Sequence, residues 1–550
     1  MADTMRGVYT NLTEIRRNVF AEVAKIAYAQ GAAARVAEGT EQSAAVHADA
    51  ARQMDELPYQ IIPGDVATYR ESVFLERAIV GERIRLAMGL PLQGVDRPQS
   101  LADGLESASV AETYYQPPLV NVIKFACNAC EDNTYRVCNA CQGCLAHPCR
   151  EICPKGAISF VDKKAHIDQE KCIHCGMCAK VCPYRAILHH MRPCAEACGM
   201  HAIGSDKQGR AEIDYEKCVS CGQCLINCPF GAIADKSQIY QVIQAVNAGD
   251  EVIAEVAPAF VGQFGGRGNV DKLRQAFTGL GFTGMEEVAI GADLCTVQEA
   301  DDFLAEVPDK IPFMGTSCCP AWSVMAKKEF PDQADCISMA LTPMTLTARL
   351  IRRSHPHAKI VFVGPCSAKK LEAMRSSVRS EVDFVLTFEE MAGMMRARDI
   401  DYAKLAGEGS SDFEVASAAG RGFAVSGGVA SAVVGAIHRS QPELEVNVVN
   451  AEGLEECRKM MKDAVRGKYP GYLLEGMACP GGCVAGAGTL QSITKTAAAV
   501  KRYAKKSSRV DATENAYRSL IPELERDADG RKAMGKNEII EVREAMSPRE

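Results

Sequence analysis

The chain has 550 residues, 47% hydrophobic and 24% charged, with a net charge of −8. That length supplies several domains rather than one core. The acidic balance, with no long basic block, argues against nucleic acid as a partner and suits basic or neutral redox partners. No apolar run approaches the roughly 20 residues that span a bilayer. The opening MADTMRGVYT has no apolar signal core, so a cytoplasmic protein without a membrane partner is expected.

Residues 1–118 are expected to form a helical N-terminal module. RRNVFAEVAKIAYAQ and YRESVFLERAIVGERIRLAMGL place apolar residues at helical spacing, separated by an Ala-rich stretch and the breaker LPYQIIPGD. Nothing there forms a ligand set, so docking or packing is its expected role.

Residues 119–240 hold 17 of the 25 cysteines, between Cys127 and Cys228. A secreted disulfide scaffold would be short. C-x-x-C runs inside a long chain imply metal ligation in a reducing compartment. Cys172, Cys175, Cys178 and Cys182-Pro183 form C-x2-C-x2-C-x3-C-P, and Cys218, Cys221, Cys224 and Cys228-Pro229 repeat it. In bacterial ferredoxins the first three cysteines of such a run bind one [4Fe–4S] cluster and the fourth binds its neighbour. A zinc ribbon would show isolated C-x2-C pairs instead.

Cys141, Cys144, Cys149 and Cys153 resemble the run with two residues inserted, and Cys194 and Cys198 match its end. CPKGAI, CPYRAI, CGMHAI and CPFGAI mark four half-modules, hence two tandem ferredoxin-like units. The crossover rule joins Cys141, Cys144 and Cys149 to Cys182. It joins Cys172, Cys175 and Cys178 to Cys153, and Cys218, Cys221 and Cys224 to Cys198. Cys194 and Cys228 then need two ligands from Cys127, Cys130 and Cys138. Cys127 and Cys130 are the expected pair, although Cys138, Cys141 and Cys144 also read C-x2-C-x2-C. Four accessory clusters are expected, with three as the alternative. His147 and His174 are expected to pack or face solvent.

Residues 245–505 read as α/β. IAEVAPAF, KIVFVGPC and FVLTF are strand-length apolar runs followed by helical or glycine-bearing stretches, which implies a parallel sheet with ligands at the strands' C-terminal ends. Three motifs sit on such loops: TSCCPAW (316–322), GPCSAKKLE (364–372) and EGMACPGGCVAGAG (475–488). Four thiolates from these loops can close one cubane. Adjacent Cys318 and Cys319 do not both bind one iron site, which frees one of them. The tail, 506–550, is polar with some helical character and no nameable chemistry.

In order and separation, these three segments resemble the signature motifs of [FeFe]-hydrogenases. The chain is similar to the group B branch and to monomeric, ferredoxin-linked members. The resemblance implies a multidomain α+β fold whose catalytic domain has two parallel-sheet lobes. It implies that Cys319, Cys366, Cys479 and Cys483 ligate the cubane of an H-cluster, with Cys483 bridging to a diiron subsite carrying CO, cyanide and a dithiolate amine. Cys318 matches the unligated thiol that passes protons, a task its adjustable pKa suits. Lys369 matches the lysine that holds a cyanide, whereas Lys370 reads as a surface lysine. Met477 and Pro258 match walls of the diiron pocket. Glu299 and Ser338 match the inner proton relay. Asp302 stands where a glutamate is usual, and Glu306 where an arginine is.

The departures are Gly364 for a methionine, Ala259 for a serine that hydrogen-bonds cyanide, and GAG for GGG. They imply a pocket with one donor fewer and more room. Cys295, Cys336 and Cys457 are expected to be free buried thiols. The implied activity is reversible H2 formation from protons and electrons in an anaerobic cell. Electrons come from ferredoxin or a similar carrier, and dedicated maturases insert the diiron unit. The alternatives are an H2 sensor of low turnover and a non-catalytic iron–sulfur carrier or assembly protein. Intact TSCCPAW and GPCSAKK, with no signalling domain following them, count against both.

Overall fold

The structure, a computed structural model, describes residues 7–36, 40–94, 99–105, 118–265, 270–375, 378–407 and 415–531. Parts of the expected N-terminal module and of the tail lie outside these residues. Three helices open the chain: α1 (Asn11–Val36), α2 (Thr40–Ile61) and α3 (Val73–Ala87). Ser72 caps α3 by accepting from Phe74 N–H, and buried Glu76 accepts the N–H groups of Thr68, Tyr69 and Arg70. The segment read as a breaker is not one throughout. Pro58 lies inside α2, which continues to Ile61 because Met54 and Leu57 are buried against the rest of the module. Tertiary burial there outweighs the roughly 3 kcal/mol that an interior proline costs a helix.

Ile15, Val19, Val23 and Ile26 fall on one face of α1 and share a hydrophobic core with the α/β region. The face packs on the helices Phe388–Ala397 and Ile239–Ala248. The fit is close. A Cβ on Gly393 would stand 2.5 Å from Phe20 Cβ. Asn247 Nδ2 donates to Ala27 O at 2.8 Å, Tyr28 OH donates to Leu280 O at 2.9 Å, and Arg16 pairs with Glu389 at 2.6 Å.

The cysteine-rich region consists of antiparallel pairs. The strands are β1 (Val120–Val122), β2 (Thr134–Val137), β3 (Ile158–Val161), β4 (Lys164–Ile167), β5 (Ile187–His190), β6 (Ile203–Ser205), β7 (Ala211–Ile213) and β8 (Ile233–Asp235). β2–β5 and β3–β4 build the first unit; β1–β8 and β6–β7 build the second. The repeated C-x-x-x-A-I text has a backbone cause. The third residue after each fourth cysteine (Gly156, Arg185, His201, Gly231) has positive φ. That turns the next N–H back onto sulfur, so Ala157, Ala186, Ala202 and Ala232 donate to Cys153, Cys182, Cys198 and Cys228 at 3.3–3.4 Å.

Two parallel sheets follow. One has the order β10-β9-β12-β13, from β9 (Val252–Val256), β10 (Gly284–Glu287), β12 (Lys359–Gly364) and β13 (Phe384–Thr387). The other has the order β11-β15-β14, from β11 (Met314–Gly315), β14 (Asn447–Glu452) and β15 (Tyr472–Met477). Pro258 and Cys366 follow the C-terminal ends of neighbouring β9 and β12. Cys318 and Cys479 follow those of neighbouring β11 and β15. The three motif loops therefore leave the same kind of sheet edge, where parallel sheets offer binding sites.

Gly393→Val should lower stability by about 1–3 kcal/mol through overpacking against α1 and should make α1–α3 cleavable by protease. Denaturant titration and limited proteolysis check this; an unchanged midpoint with unchanged digestion contradicts the interlock.

Candidate metal centres and proton path

Each expected accessory ligand set is gathered from separate loops. Cys149 faces Cys144 and Cys182, in a small core that Cys141 also joins. Cys153, Cys172, Cys175 and Cys178 line one cavity of about 20 Å³. Cys198, Cys218, Cys221 and Cys224 line another of about 20 Å³. Cys194 faces Cys228 and Cys127, and Cys130 faces Cys127 and Cys228. Ala129 has positive φ, as do Gly143, His174 and Ser220 at the same place in the other C-x-x-C turns. Cys127 and Cys130 thus share the backbone form of the regular pairs. Cys138 instead follows β2 and gives its N–H to Ala186 O.

Among the described residues no three His, Cys, Asp or Glu side chains converge on a single-ion position. Thiols spread around a cubane have that wider spacing. Burial, reinforced by neighbouring thiols, pushes Cys194 up to about 12 and raises Cys221 and Cys224 well above the ordinary thiol value. Such thiols ionise only when a cationic group enters among them, which fits iron–sulfur cores.

The main cavity, about 90 Å³, lies where the two sheets' loops meet. Cys318, Cys319, Cys366, Cys479 and Cys483 line it, with Pro258, Ala259, Phe362, Lys369 and Met477. Cys319 caps the helix Pro320–Glu329, and Cys483 opens a 3-10 turn after Gly482. Gly482 has φ of +90°, and a Cβ there would strike Ser426 N at 2.5 Å. Burial and the facing thiols raise Cys366 to about 11 and Cys483 to about 12, with Lys369 pulling both down. Four half-buried thiols and one ammonium suit a polynuclear, partly anionic metal group.

Lys369 Nζ donates to Glu372 Oε2 at 2.6 Å and to Thr342 Oγ1 at 3.2 Å. Behind it stands Glu255, wholly buried, with neither carboxyl oxygen hydrogen-bonded and its pKa driven far up by burial. Lys370 corrects the surface reading. It is fully buried and pairs with Glu390 at 2.8 Å and Asp235 at 3.0 Å, tying this domain to β8. The extra room expected at Gly364 is also absent. A Cβ there would lie 2.5 Å from Phe362 Cε1, so the Phe362 ring occupies the space. Ala259 is fully buried and offers only backbone, its carbonyl accepting from Gln263.

Sequence reasoning missed Gln223. Its Nε2 donates to Cys479 Sγ at 3.0 Å. Cys221 lines both the main cavity and the small one beside it. The signal was available: Cys221-Gly-Gln-Cys224 carries an amide where Cys175-Gly-Met-Cys178 carries a thioether.

Acids and hydroxyls lie beside the cavity. Cys318, its thiol pushed well up by burial, faces Glu299 and Cys295. Glu299, on the helix Ala289–Glu306, accepts from Ser317 N at 2.7 Å and Ser317 Oγ at 2.9 Å. Burial raises it to about 7, with Ser317 and Ser338 holding it from going higher. Asp302 is raised to about 6 by burial, then by Glu306, Asp301 and Glu525. Ser317 was not foreseen, nor was the tail. Asn515 donates to Asp293, Arg349 donates to Leu524 O, and Leu524 packs with Leu294 and Cys295. Cys295, Cys336 and Cys457 are all buried.

Three family models match the chain. The "Iron only hydrogenase large subunit, C-terminal domain" model covers residues 250–487, and two 4Fe-4S binding domain models cover 165–188 and 210–233. Iron hydrogenase 1 of Clostridium pasteurianum is 29% identical over 424 residues, 67% of this chain and 73% of that protein. The NADP-reducing hydrogenase subunit HndD of Solidesulfovibrio fructosivorans is 28% identical over 422 residues, 66% of this chain and 62% of its own length. A solved apo [FeFe]-hydrogenase variant from Chlamydomonas reinhardtii aligns at 21% identity with a TM-score of 0.42, over 53% of this chain and 92% of that one. The periplasmic [Fe] hydrogenase large subunit of Nitratidesulfovibrio vulgaris is 30% identical over 373 residues, 58% of this chain and 85% of that protein. The chain belongs to the iron-only hydrogenase family and is an oxidoreductase of that kind.

Proposed function

We propose that the protein interconverts protons, electrons and H2, as a group B-like, monomeric, ferredoxin-linked enzyme of the cytoplasm. The observation that carries this is one cavity lined by six thiols, one of which, Cys318, turns toward a buried carboxyl at Glu299. Cys319, Cys366, Cys479 and Cys483 would hold an H-cluster, placed by maturases. When bound, that group supplies the redox chemistry of hydrogen at iron.

The protein's own part is proton handling and electron supply. Cys318 stays protonated in its buried setting and so holds a proton at Sγ beside the cavity. Glu299, near 7, can release or accept a proton at neutral pH. Ser317 and Ser338 hydrogen-bond Glu299, and the nearby Asp302 is kept near 6 by burial and neighbouring acids. Lys369 brings an ammonium to the cavity wall for an anionic ligand. The four sets at Cys141/144/149/182, Cys153/172/175/178, Cys127/130/194/228 and Cys198/218/221/224 would hold four [4Fe–4S] clusters. They form a wire whose last member abuts the main cavity through Cys221. Among the described residues no helix is long and apolar enough to cross a membrane.

Infrared spectroscopy of the matured protein should show metal-bound CO and cyanide bands; a matured sample without them sinks the assignment. Cys318→Ala and Glu299→Gln should each keep those bands while cutting turnover by about 10²–10⁴-fold. Wild-type turnover should show an inflection near pH 7, because Glu299 holds its proton below that value and gives it up above it. An inflection that persists in Glu299→Gln would assign it elsewhere. Gln223→Met should lower the midpoint potential of the Cys319/366/479/483 cubane, because an N–H···S bond favours the reduced cluster. A redox titration followed by electron paramagnetic resonance reads this directly; an unmoved potential would show that the bond only packs.

A further inference from the structure

The net charge of −8 is unevenly spread. Residues 139–191, most of the first ferredoxin unit, carry seven Lys and Arg against four Asp and Glu, a net of +3 inside an acidic chain. Two of those acids are already engaged, Glu151 by Arg150 and Asp168 by Lys171. Lys155, Lys163, Lys180 and Arg185 are exposed and enter no ion pair among the described residues.

The same unit is unusually apolar outside. Of the 18 exposed large hydrophobic side chains among the described residues, seven lie between Leu145 and Leu188. Leu145 is 98% exposed and Ile173 53%. The unit's helices and strands pack mainly on one another, and these apolar side chains are left exposed. Exposed apolar groups gathered in one place mark an interaction site.

Part of this surface lies beside one ligand set. Of the 25 cysteines, Cys175 alone is exposed. Ile173 lines the cavity shared by Cys153, Cys172, Cys175 and Cys178. Ile152 and Lys155 flank Cys153. Lys180 lies on the helix Met177–Val181, which packs on the helix Pro148–Glu151 beside Ile152. Electron transfer weakens steeply with distance, so a carrier must dock where a cluster edge nears the surface. Unpaired cations around that edge attract negative charge and speed encounter.

We propose that the face around Cys175, framed by Ile152, Ile173, Lys155 and Lys180, docks a small acidic electron-carrier protein through an apolar centre and a basic rim. This rests on the reading above that Cys153, Cys172, Cys175 and Cys178 hold a cluster of the wire. It reverses what the overall charge implies, a basic or neutral partner.

The test uses the full-length holoprotein with a small acidic [4Fe–4S] ferredoxin as the protein probe and methyl viologen as a donor too small to need a docking face. Calorimetry at low ionic strength should show ferredoxin binding that weakens as salt rises. The double variant Lys155→Glu/Lys180→Glu should bind it at least about tenfold more weakly, and Lys155→Gln/Lys180→Gln should fall between. Lys495→Glu, an exposed charge reversal on the catalytic domain, should bind as wild type. Viologen-driven turnover should be the same in all four proteins. Ferredoxin binding that ignores these charges, no binding by wild type, or tighter binding of a basic cytochrome would overturn the docking site. Wild-type protein inert with viologen would instead count against the catalytic reading, and calorimetry would still decide the docking face.

Discussion

Removing thiols from water in such numbers is the constraint on which the rest depends. Alone, a buried thiol is a small apolar group. Packed with others, as at Cys194, Cys221 and Cys224, it resists ionisation because burial and neighbouring sulfurs oppose the negative charge. The first ferredoxin unit has a core of Cys149, Ile158, Ala165, Ile167, Cys178 and Ile187 with little beyond it. A core that small does not hold a domain. The cationic centres the thiols are built to hold must supply cohesion as well as electrons. Backbone N–H groups aimed at sulfur then fix where each cluster sits.

Much of the metal chemistry is legible in the sequence because it is local. The spacing of Cys172 to Cys182 and of Cys218 to Cys228 is a backbone path written in residue types. The Cys127–Cys130 turn is harder to read because no third cysteine follows at the regular spacing, although Ala129 takes the same left-handed conformation as His174 and Ser220. What is not legible comes from distant packing. Nothing near Lys370 in sequence reveals that Asp235 and Glu390 will close around it. Nothing near Gly364 shows that Phe362, two residues earlier on the same strand face, will fold its ring into the vacancy. Pro58 misleads for the same reason, as its helix is held by neighbours.

The tail illustrates how function hides in plain composition. Residues beyond 506 are polar and carry no motif, yet Asn515, Leu524 and Glu525 press on the helix that bears Glu299 and Asp302. Net charge misleads in a parallel way. A value of −8 averages an acidic body with a basic first ferredoxin unit, and a partner docking on that unit would feel the second charge rather than the average.

Gly222 lies between two ligands of the nearest set, where a Cβ would come within 2.6 Å of Ala487 Cβ and 3.1 Å of Ser367 Cβ. The Gly222 backbone thus lies against the Ala487 and Ser367 side chains across the boundary, and Gln223 closes the gap to Cys479. Such a seam leaves no slack for one body to swing against the other. An electron crossing it would need no hinge motion between the two bodies.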